Sequence, residues 1–147
     1  MKLSTKGRYA TRLMLDLALH FGQGSIFLKD IAHRQGLSEK YLGQLIMSLK
    51  NSNLVQSTRG AHGGYTLSCD PASITLKQVI EAVEGSLSLV ECVDKPDICS
   101  KSDSCVNREV WAKLSEDMCR TLESITLKDL ADKEKDKTSE KRLVYYI

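Results

Sequence analysis

The chain has 147 residues, the size of one ordinary domain or of a small domain with a dimerisation arm. Hydrophobic residues make up 41% of it and charged residues 27%, which is typical of a globular protein and excludes an intrinsically disordered one. No apolar run approaches the roughly 18 residues that cross a bilayer, and the first residues lack the apolar segment of a signal peptide. We therefore expect a cytoplasmic protein with no membrane partner.

Charge is distributed unevenly along the chain, although the net charge is only +2. Residues 1–65 contain nine Lys and Arg against three acidic residues, whereas the remainder contains 12 against 16. A basic front half indicates a polyanionic partner such as nucleic acid, although a solvated charged surface would give the same balance.

Three helices are predicted in the first third of the chain. Ser4 or Thr5 can cap a helix that runs to residues 19–21, because apolar residues recur there every four positions. A short helix over 28–34 is followed by Gly36, which suits a left-handed helix end, and Ser38 can cap a third helix that ends near 51–53. Two short helices joined in this way are typical of a helix-turn-helix, although such turns also join other helix pairs.

A β-hairpin is predicted directly after the third helix. Its strands cover 54–57 and 65–68, and the glycine-rich turn between them carries Arg59. A hairpin in this place is the wing of a winged helix-turn-helix, and an arginine on a slim hairpin suits insertion into a minor groove. Turn chemistry alone would also explain the glycines.

The second half is predicted as a helix over 76–83, an irregular loop over 85–104 and a long helix from about Asp103. An irregular segment of that length is rare inside a compact domain unless it has a function. The long helix carries a narrow apolar seam, formed by Trp111, Leu114, Met118, Leu122 and Ile125. We expect the seam to pair with a second copy of the chain, with packing on its own N-terminal domain as the alternative. Thr126 is predicted to cap a short helix over 127–130, and residues 133–147 are predicted to form a charged, flexible tail.

Three of the five cysteines, Cys92, Cys99 and Cys105, lie in or at the edge of the irregular loop. A flexible loop can bring three thiols to one centre, and thiolates favour an iron–sulfur cluster, zinc or copper(I). The paired cysteine knuckles common in zinc sites are absent, and redox-active or spare thiols are the alternative. We expect Cys69 and Cys119 to be small core or surface residues. Because the chain has no Cys-x-x-Cys pair, phosphate loop or nucleophile–base pair, we do not expect an enzyme.

Together these features resemble the IscR-type iron–sulfur cluster transcription regulators, a winged-helix family that also includes NsrR. The resemblance extends to about residue 132. It rests on segments 1–10, 14–16, 34–36, 41–42, 44–45, 55–65, 79–83 and 125–127, with the three loop cysteines and Trp111.

The resemblance implies a mainly α fold with a small β-hairpin wing. Residues 1–84 would form the winged helix-turn-helix domain, 85–104 the cluster-binding loop, and 105–132 the dimerisation helix with a short terminal helix. It further implies a homodimer, acting as repressor or activator on a palindromic double-stranded operator, that controls genes of iron–sulfur cluster assembly. The same cysteines could instead sense thiol redox state, zinc or nitric oxide.

The resemblance also implies the ligands of the cluster, a 2Fe–2S cluster in preference to a 4Fe–4S one. Cys92, Cys99 and Cys105 match the three cysteine ligands, but the histidine expected after the third is Arg108, which cannot deprotonate and ligate. Some relatives complete the site from the partner's N-terminal region, and by that route His33 is the imidazole candidate. Carboxylate alternatives lie within the loop, at Asp94, Asp97 and Asp103.

For DNA, the resemblance assigns base and phosphate contacts to the recognition helix, through Ser38, Lys40, Tyr41 and Gln44. It assigns backbone contacts to Lys2, Thr5, Lys6 and Tyr9, and the minor-groove contact to Arg59. Gln44 can bond in two ways to an adenine edge, and a helix N-terminus at Ser38 suits a phosphate. Some relatives carry glutamate at the position of Gly43, so operator preference need not transfer.

Overall fold

The structure is a computed structural model that describes residues 2–146. It begins with three helices, α1 (Thr5–Leu19), α2 (Leu28–Gln35) and α3 (Glu39–Asn51). As predicted, the side chains of Ser4 and Ser38 cap α1 and α3, each accepting a backbone N–H at 3.3 Å. Gly36 ends α2 with a φ of +62°, a left-handed conformation that glycine adopts without strain, so the chain turns directly into α3.

The predicted wing is present, as strands β1 (Val55–Thr58) and β2 (Gly64–Leu67) in an antiparallel pair. Ile26, in the segment before α2, exchanges two backbone hydrogen bonds with Tyr65 at 3.0 and 2.9 Å, which ties the hairpin to the helices. Gly64 has a φ of +139°, and a Cβ there would lie 2.5 Å from the carbonyl oxygen of Ile26. Only glycine allows this close approach. The fold is therefore mainly α with a hairpin wing, as expected.

The second half contains α4 (Leu76–Glu84), α5 (Glu91–Asp94), α6 (Val106–Glu123) and α7 (Leu127–Tyr145). The segment predicted to be irregular thus includes one short helix, with 3₁₀ turns at Pro96–Ile98 and Ser102–Ser104. The starts of α4 and α7 are joined by hydrogen bonds from Leu76 N–H to the Ile125 carbonyl and from Leu127 N–H to the Ile74 carbonyl, at 2.8 and 2.9 Å.

The predicted end of the last helix, at residue 130, was wrong. The helix that follows Thr126 does not stop at residue 130 but continues to Tyr145, so most of the predicted flexible tail is helical. Residues 128–142 contain no Gly or Pro, and five of these fifteen residues are Lys, a good helix former. The apolar periodicity used for the prediction ends near Ala131, because the rest of α7 is exposed and has no buried face to mark it.

The core lies between α1, α3, α4 and the first turn of α7. Its fully buried side chains include Leu13, Met14, Leu42, Leu49 and Leu127, and each contributes about 1.5–3 kcal/mol by burial. This packing fixes α1 relative to α3.

The apolar seam of α6 is divided between two environments. Met118 and Leu122 are half-buried where α6 packs on α4, whereas Trp111 and Leu114 are 40% and 45% exposed. The first half of the seam therefore lies open at the surface of the described chain. None of the helices within residues 2–146 has both the length and the apolar character needed to cross a bilayer.

Candidate nucleic-acid interface and cysteine loop

The start of α1 and the start of α3 lie side by side. Tyr9 and Tyr41 are both half-buried and meet edge to face, with ring centroids 5.8 Å apart and an interplanar angle of 85°. Such a pair contributes about 0.5–1.5 kcal/mol beyond the burial of its area. Lys2, Thr5 and Lys6, for which the sequence predicts backbone contacts, are exposed just before this point. The contact therefore links the predicted phosphate-contacting segment to the predicted recognition helix.

Two arginines that the sequence analysis did not single out lie next to the Tyr9 ring. The guanidinium carbons of Arg8 and Arg12 are 5.9 and 5.5 Å from the ring centroid, within cation–π range. Arg12 also donates Nε–H to Oε1 of Gln35 at 3.1 Å and bonds to the carbonyl of that residue. Arg8 and Arg12 are four residues apart in α1, about one helical turn, and Tyr9 lies between them in sequence. This spacing could have indicated that both guanidinium groups lie near the Tyr9 ring.

The recognition helix presents three of its four predicted DNA residues to solvent, while Tyr41 is half-buried against Tyr9. Ser38, Lys40 and Gln44 are exposed on α3 or at its N-cap, and Arg59 is exposed in the turn of the hairpin. At the other end of α3, Lys50 Nζ donates a hydrogen bond to Ser57 Oγ of β1 at 2.9 Å. The recognition helix is thus connected to the wing that follows it.

A buried carboxylate holds α2 on α1. Asp16 is 2% exposed, and its carboxylate accepts two hydrogen bonds from Arg34 and one from Gln35 Nε2, the last at 3.1 Å. The hydrogen bond to Asp16 raises the pKa of Arg34 above its ordinary value. Because Arg34 and Gln35 directly precede the turn at Gly36, this network fixes the angle at which α3 leaves α2.

The three loop cysteines are free thiols at different depths. Cys92 lies in α5 and Cys105 at the N-cap of α6, both partly buried, while Cys99 is exposed. Within residues 2–146, no three His, Cys, Asp or Glu side chains are grouped so that they could hold a metal ion. The structure therefore does not bring the predicted ligands together, and the candidate His33 lies exposed on α2. Of the remaining cysteines, Cys69 is exposed and Cys119 is partly buried.

The first half of the loop is anchored to α6. Arg108 Nε donates to the carbonyl oxygen of Cys92 at 2.8 Å, and Leu89 N–H donates to the buried Ser115 Oγ at 3.0 Å. Asp94 accepts hydrogen bonds from the hydroxyls of Ser86 and Ser88, which lower the pKa of its carboxyl below the ordinary value. Residues 86–94 are therefore tied to one another and to α6 by hydrogen bonds.

Comparison with known proteins finds one family model over most of the chain. The Rrf2 model, described as an iron-dependent transcriptional regulator, matches residues 3–133. Protein rrf2 of Nitratidesulfovibrio vulgaris is 41% identical over 130 residues, which cover 88% of this chain and 87% of that protein.

Two solved structures superpose on the chain equally well, each with a TM-score of 0.75. One is CymR, the global cysteine regulator of B. subtilis, which is 41% identical over 90% of this chain and 97% of its own. The other is IscR of T. potens, which is 42% identical over 91% of this chain and 88% of its own. Overall similarity therefore does not distinguish an IscR-like signal from a CymR-like one.

Proposed function

Because the chain belongs to the Rrf2 family of DNA-binding transcription regulators, we propose that it binds operator DNA as a homodimer and that the state of Cys92, Cys99 and Cys105 sets its affinity. Its relatives are regulators and not enzymes. This agrees with the expectation from the sequence, in which no Cys-x-x-Cys pair, phosphate loop or nucleophile–base pair was found. In this proposal residues 1–84 contact DNA, 85–104 sense the signal and 105–132 carry the dimer contact. The protein would act in the cytoplasm, where we expect its operator.

The observation that supports this interface best is the Tyr9–Tyr41 contact at 5.8 Å. It joins α1, whose first turn carries the exposed Lys6, to the N-terminal part of α3, on which Gln44 is exposed. Lysines and a helix N-terminus bind phosphates, and these contacts position a recognition helix without reading sequence. Sequence would then be read by Gln44 in the major groove and through groove shape by Arg59.

The homodimer is supported by the open half of the α6 seam. Trp111 and Leu114 are exposed large apolar side chains on one 18-residue helix. Pairing two such helices would cover them and place two recognition helices at one fixed separation. Half-sites on a palindromic operator lie about 34 Å apart, so this separation decides whether both helices reach the major groove.

The loop contains three of the four protein ligands that an iron–sulfur cluster ordinarily has. Cys92, Cys99 and Cys105 would hold it, since thiolates are the ligands that such clusters prefer. Arg108 does not supply the fourth ligand, because a guanidinium cannot ligate and this one is bound to the Cys92 carbonyl. When bound, the cluster would supply an iron centre that reacts with oxidants or nitric oxide. We favour a 2Fe–2S cluster, in a regulator that controls the genes of iron–sulfur cluster assembly.

The proposal is tested by operator affinity in two states of the cysteines. A duplex selected from a random library is titrated with anaerobically reconstituted protein and with the Cys92→Ala/Cys99→Ala/Cys105→Ala variant at one salt concentration. We expect the two affinities to differ by about tenfold or more, a typical coupling between two sites. Cys69→Ala/Cys119→Ala is the matched control and should behave as the wild type. Equal affinities for the first pair would refute cysteine-dependent regulation.

A second candidate function keeps DNA binding and replaces the cluster by thiol redox or zinc sensing. It is favoured by the exposed Cys99 and by the equal similarity to CymR. Anaerobic purification separates the two functions. A brown protein with iron and acid-labile sulfide supports the cluster, and a colourless one with stoichiometric zinc or with metal-free thiols supports the alternative.

A further inference from the structure

Glu84, the last residue of α4, reaches across to the N-terminus of α1. Its Oε1 accepts a hydrogen bond from Gly7 N–H at 3.1 Å and another from the hydroxyl of Ser4. A Cβ at position 7 would lie 2.9 Å from the same oxygen, so glycine at this position allows the carboxylate to approach. A negative charge is also stabilised at this end of a helix. Glu84 and Ser4 therefore cap α1 jointly, from two ends of the domain 80 residues apart in sequence.

The same residue is the point from which the cysteine loop departs. Gly85 follows it with a φ of +83°, and the next residue, Ser86, donates its hydroxyl hydrogen bond to Asp94. Asp94 lies in the same short helix, α5, as Cys92. A continuous series of contacts thus runs from the cysteine-bearing helix to the start of α1.

A groove of about 490 Å³ lies between the two regions that these contacts connect. One wall is the N-terminal arm, with Lys2 and Leu3, and the other is the loop segment 86–89 with Met118 of α6. Glu84 belongs to the lining between them. The loop therefore has open space on the side that faces the arm.

We propose that Glu84 is a positioning residue that couples the cysteine loop to the DNA-contacting start of α1. This inference rests on the proposed DNA interface, in which Lys2, Thr5 and Lys6 contact phosphates. When the loop moves, Glu84 moves with it. The Ser4 hydroxyl and the Gly7 amide, which are hydrogen-bonded to Glu84, then move as well. The lysines on either side of Ser4 then change their distance from the DNA backbone.

The first test replaces the carboxylate in reduced, metal-free protein. Glu84→Ala is expected to raise the hydrogen-exchange rate of the Gly7 amide and to weaken operator binding, each about tenfold, because a hydrogen bond to a charged group is lost. Glu84→Gln should restore both, since its amide oxygen can accept the same bonds. Glu81→Ala, an exposed residue of the same helix, is the control. If Glu84→Ala leaves Gly7 exchange unchanged, the proposal is overturned.

The second test asks whether the loop acts through Glu84. The Ser86→Ala/Ser88→Ala variant removes both hydroxyl donors to Asp94 and leaves every cysteine in place. We expect it to change Gly7 exchange by at least threefold in the wild-type background and not in Glu84→Ala, as coupled sites do. No effect in either background, or equal effects in both, would overturn the coupling. If the wild-type protein binds no duplex more tightly than random competitor DNA, the proposed DNA interface is wrong. The hydrogen-exchange rates of Gly7 still decide whether the loop and α1 are coupled.

Discussion

Arg34 binds Asp16 at two points, with Nη2 2.6 Å from Oδ1 and Nε 3.0 Å from Oδ2. The carboxylate is 3% exposed and the arginine side chain 37% exposed, so the pair has one buried and one partly solvated member. Two-point arginine–carboxylate contacts are directional as well as strong. This contact therefore sets the orientation of α2, and through the turn at Gly36 that of α3.

Asp16→Ala is expected to lower the free energy of unfolding by about 1.5–3 kcal/mol, because it removes a buried carboxylate that accepts three hydrogen bonds from Arg34 and Gln35. Urea denaturation measures the change. Arg120→Ala removes only exposed ion pairs and should change the free energy by less than about 0.5 kcal/mol. Equal losses for the two variants would contradict the structural role of Asp16.

The pH dependence of this contact follows from the direction of the Arg34 shift. Its pKa is raised in the folded protein, so the contribution is fully present below the pKa of an arginine in the unfolded chain and is lost only as the pH rises through the still higher folded value. In a His20→Ala background, which removes the imidazole 3.5 Å from Asp16 Oδ1, the destabilisation by Asp16→Ala should therefore be the same between about pH 6 and pH 8. Denaturation curves at both ends of this range test it, and a clear decline towards pH 8 would contradict it.

The helices α1 to α4 and the wing could be predicted from the sequence because their determinants are local. Ser4, Ser38 and Gly36 mark helix ends, and apolar periodicity marks the buried faces. The contact between Asp16 and Arg34 could not be predicted, since it depends on how two helices pack. The contacts of Glu84 were even less predictable, because its partners lie about 80 residues away and no spacing rule connects them.

The second half was predicted less well for the same physical reason. The part of α7 beyond Ala131 is exposed and carries no apolar stripe, so periodicity could not reveal it. Cys92 lies in the short helix α5, which the sequence did not predict, and Cys105 lies at the N-cap of α6. The spacing of the cysteines in sequence does not determine whether their thiols converge. In the described residues they do not form a metal-binding group, and the assignment of ligands therefore stays a prediction.

Gln44→Ala should relax operator specificity rather than simply weaken binding. Loss of a two-point contact to one base costs about 1–3 kcal/mol at that position and leaves other positions unaffected. Binding to a set of single-base operator variants measures this. Lys6→Ala is the matched comparison and should weaken all duplexes alike while reducing the salt slope by about one. A uniform loss for Gln44→Ala would indicate that this residue does not read a base.

Arg108→His is expected to complete the ligand set of the loop, if the cluster is bound by the three cysteines alone. An imidazole can ligate iron whereas the guanidinium cannot, and position 108 lies close to Cys92 through the hydrogen bond to its carbonyl. We expect the visible absorption of reconstituted Arg108→His protein to decay several-fold more slowly in air. Arg108→Gln, which also loses the guanidinium but adds no imidazole, should not be slower than wild type. Equal decay of Arg108→His and Arg108→Gln would contradict a ligand role for an imidazole at position 108.

Leu114→Asp should separate the two copies of the proposed dimer. Leu114 is 45% exposed on the open half of the α6 seam, and a charge there would be buried without a partner when two helices pair. Sedimentation should show a monomer, and the emission of Trp111, the only tryptophan, should shift to longer wavelength. Lys113→Asp introduces the same residue one position earlier, at an exposed site, and should leave the dimer intact although it also removes the surface ion pair with Asp117. Operator affinity should fall steeply for Leu114→Asp alone, because one recognition helix cannot span two half-sites about 34 Å apart. A monomeric variant with unchanged operator affinity would mean that the α6 seam has no part in DNA recognition.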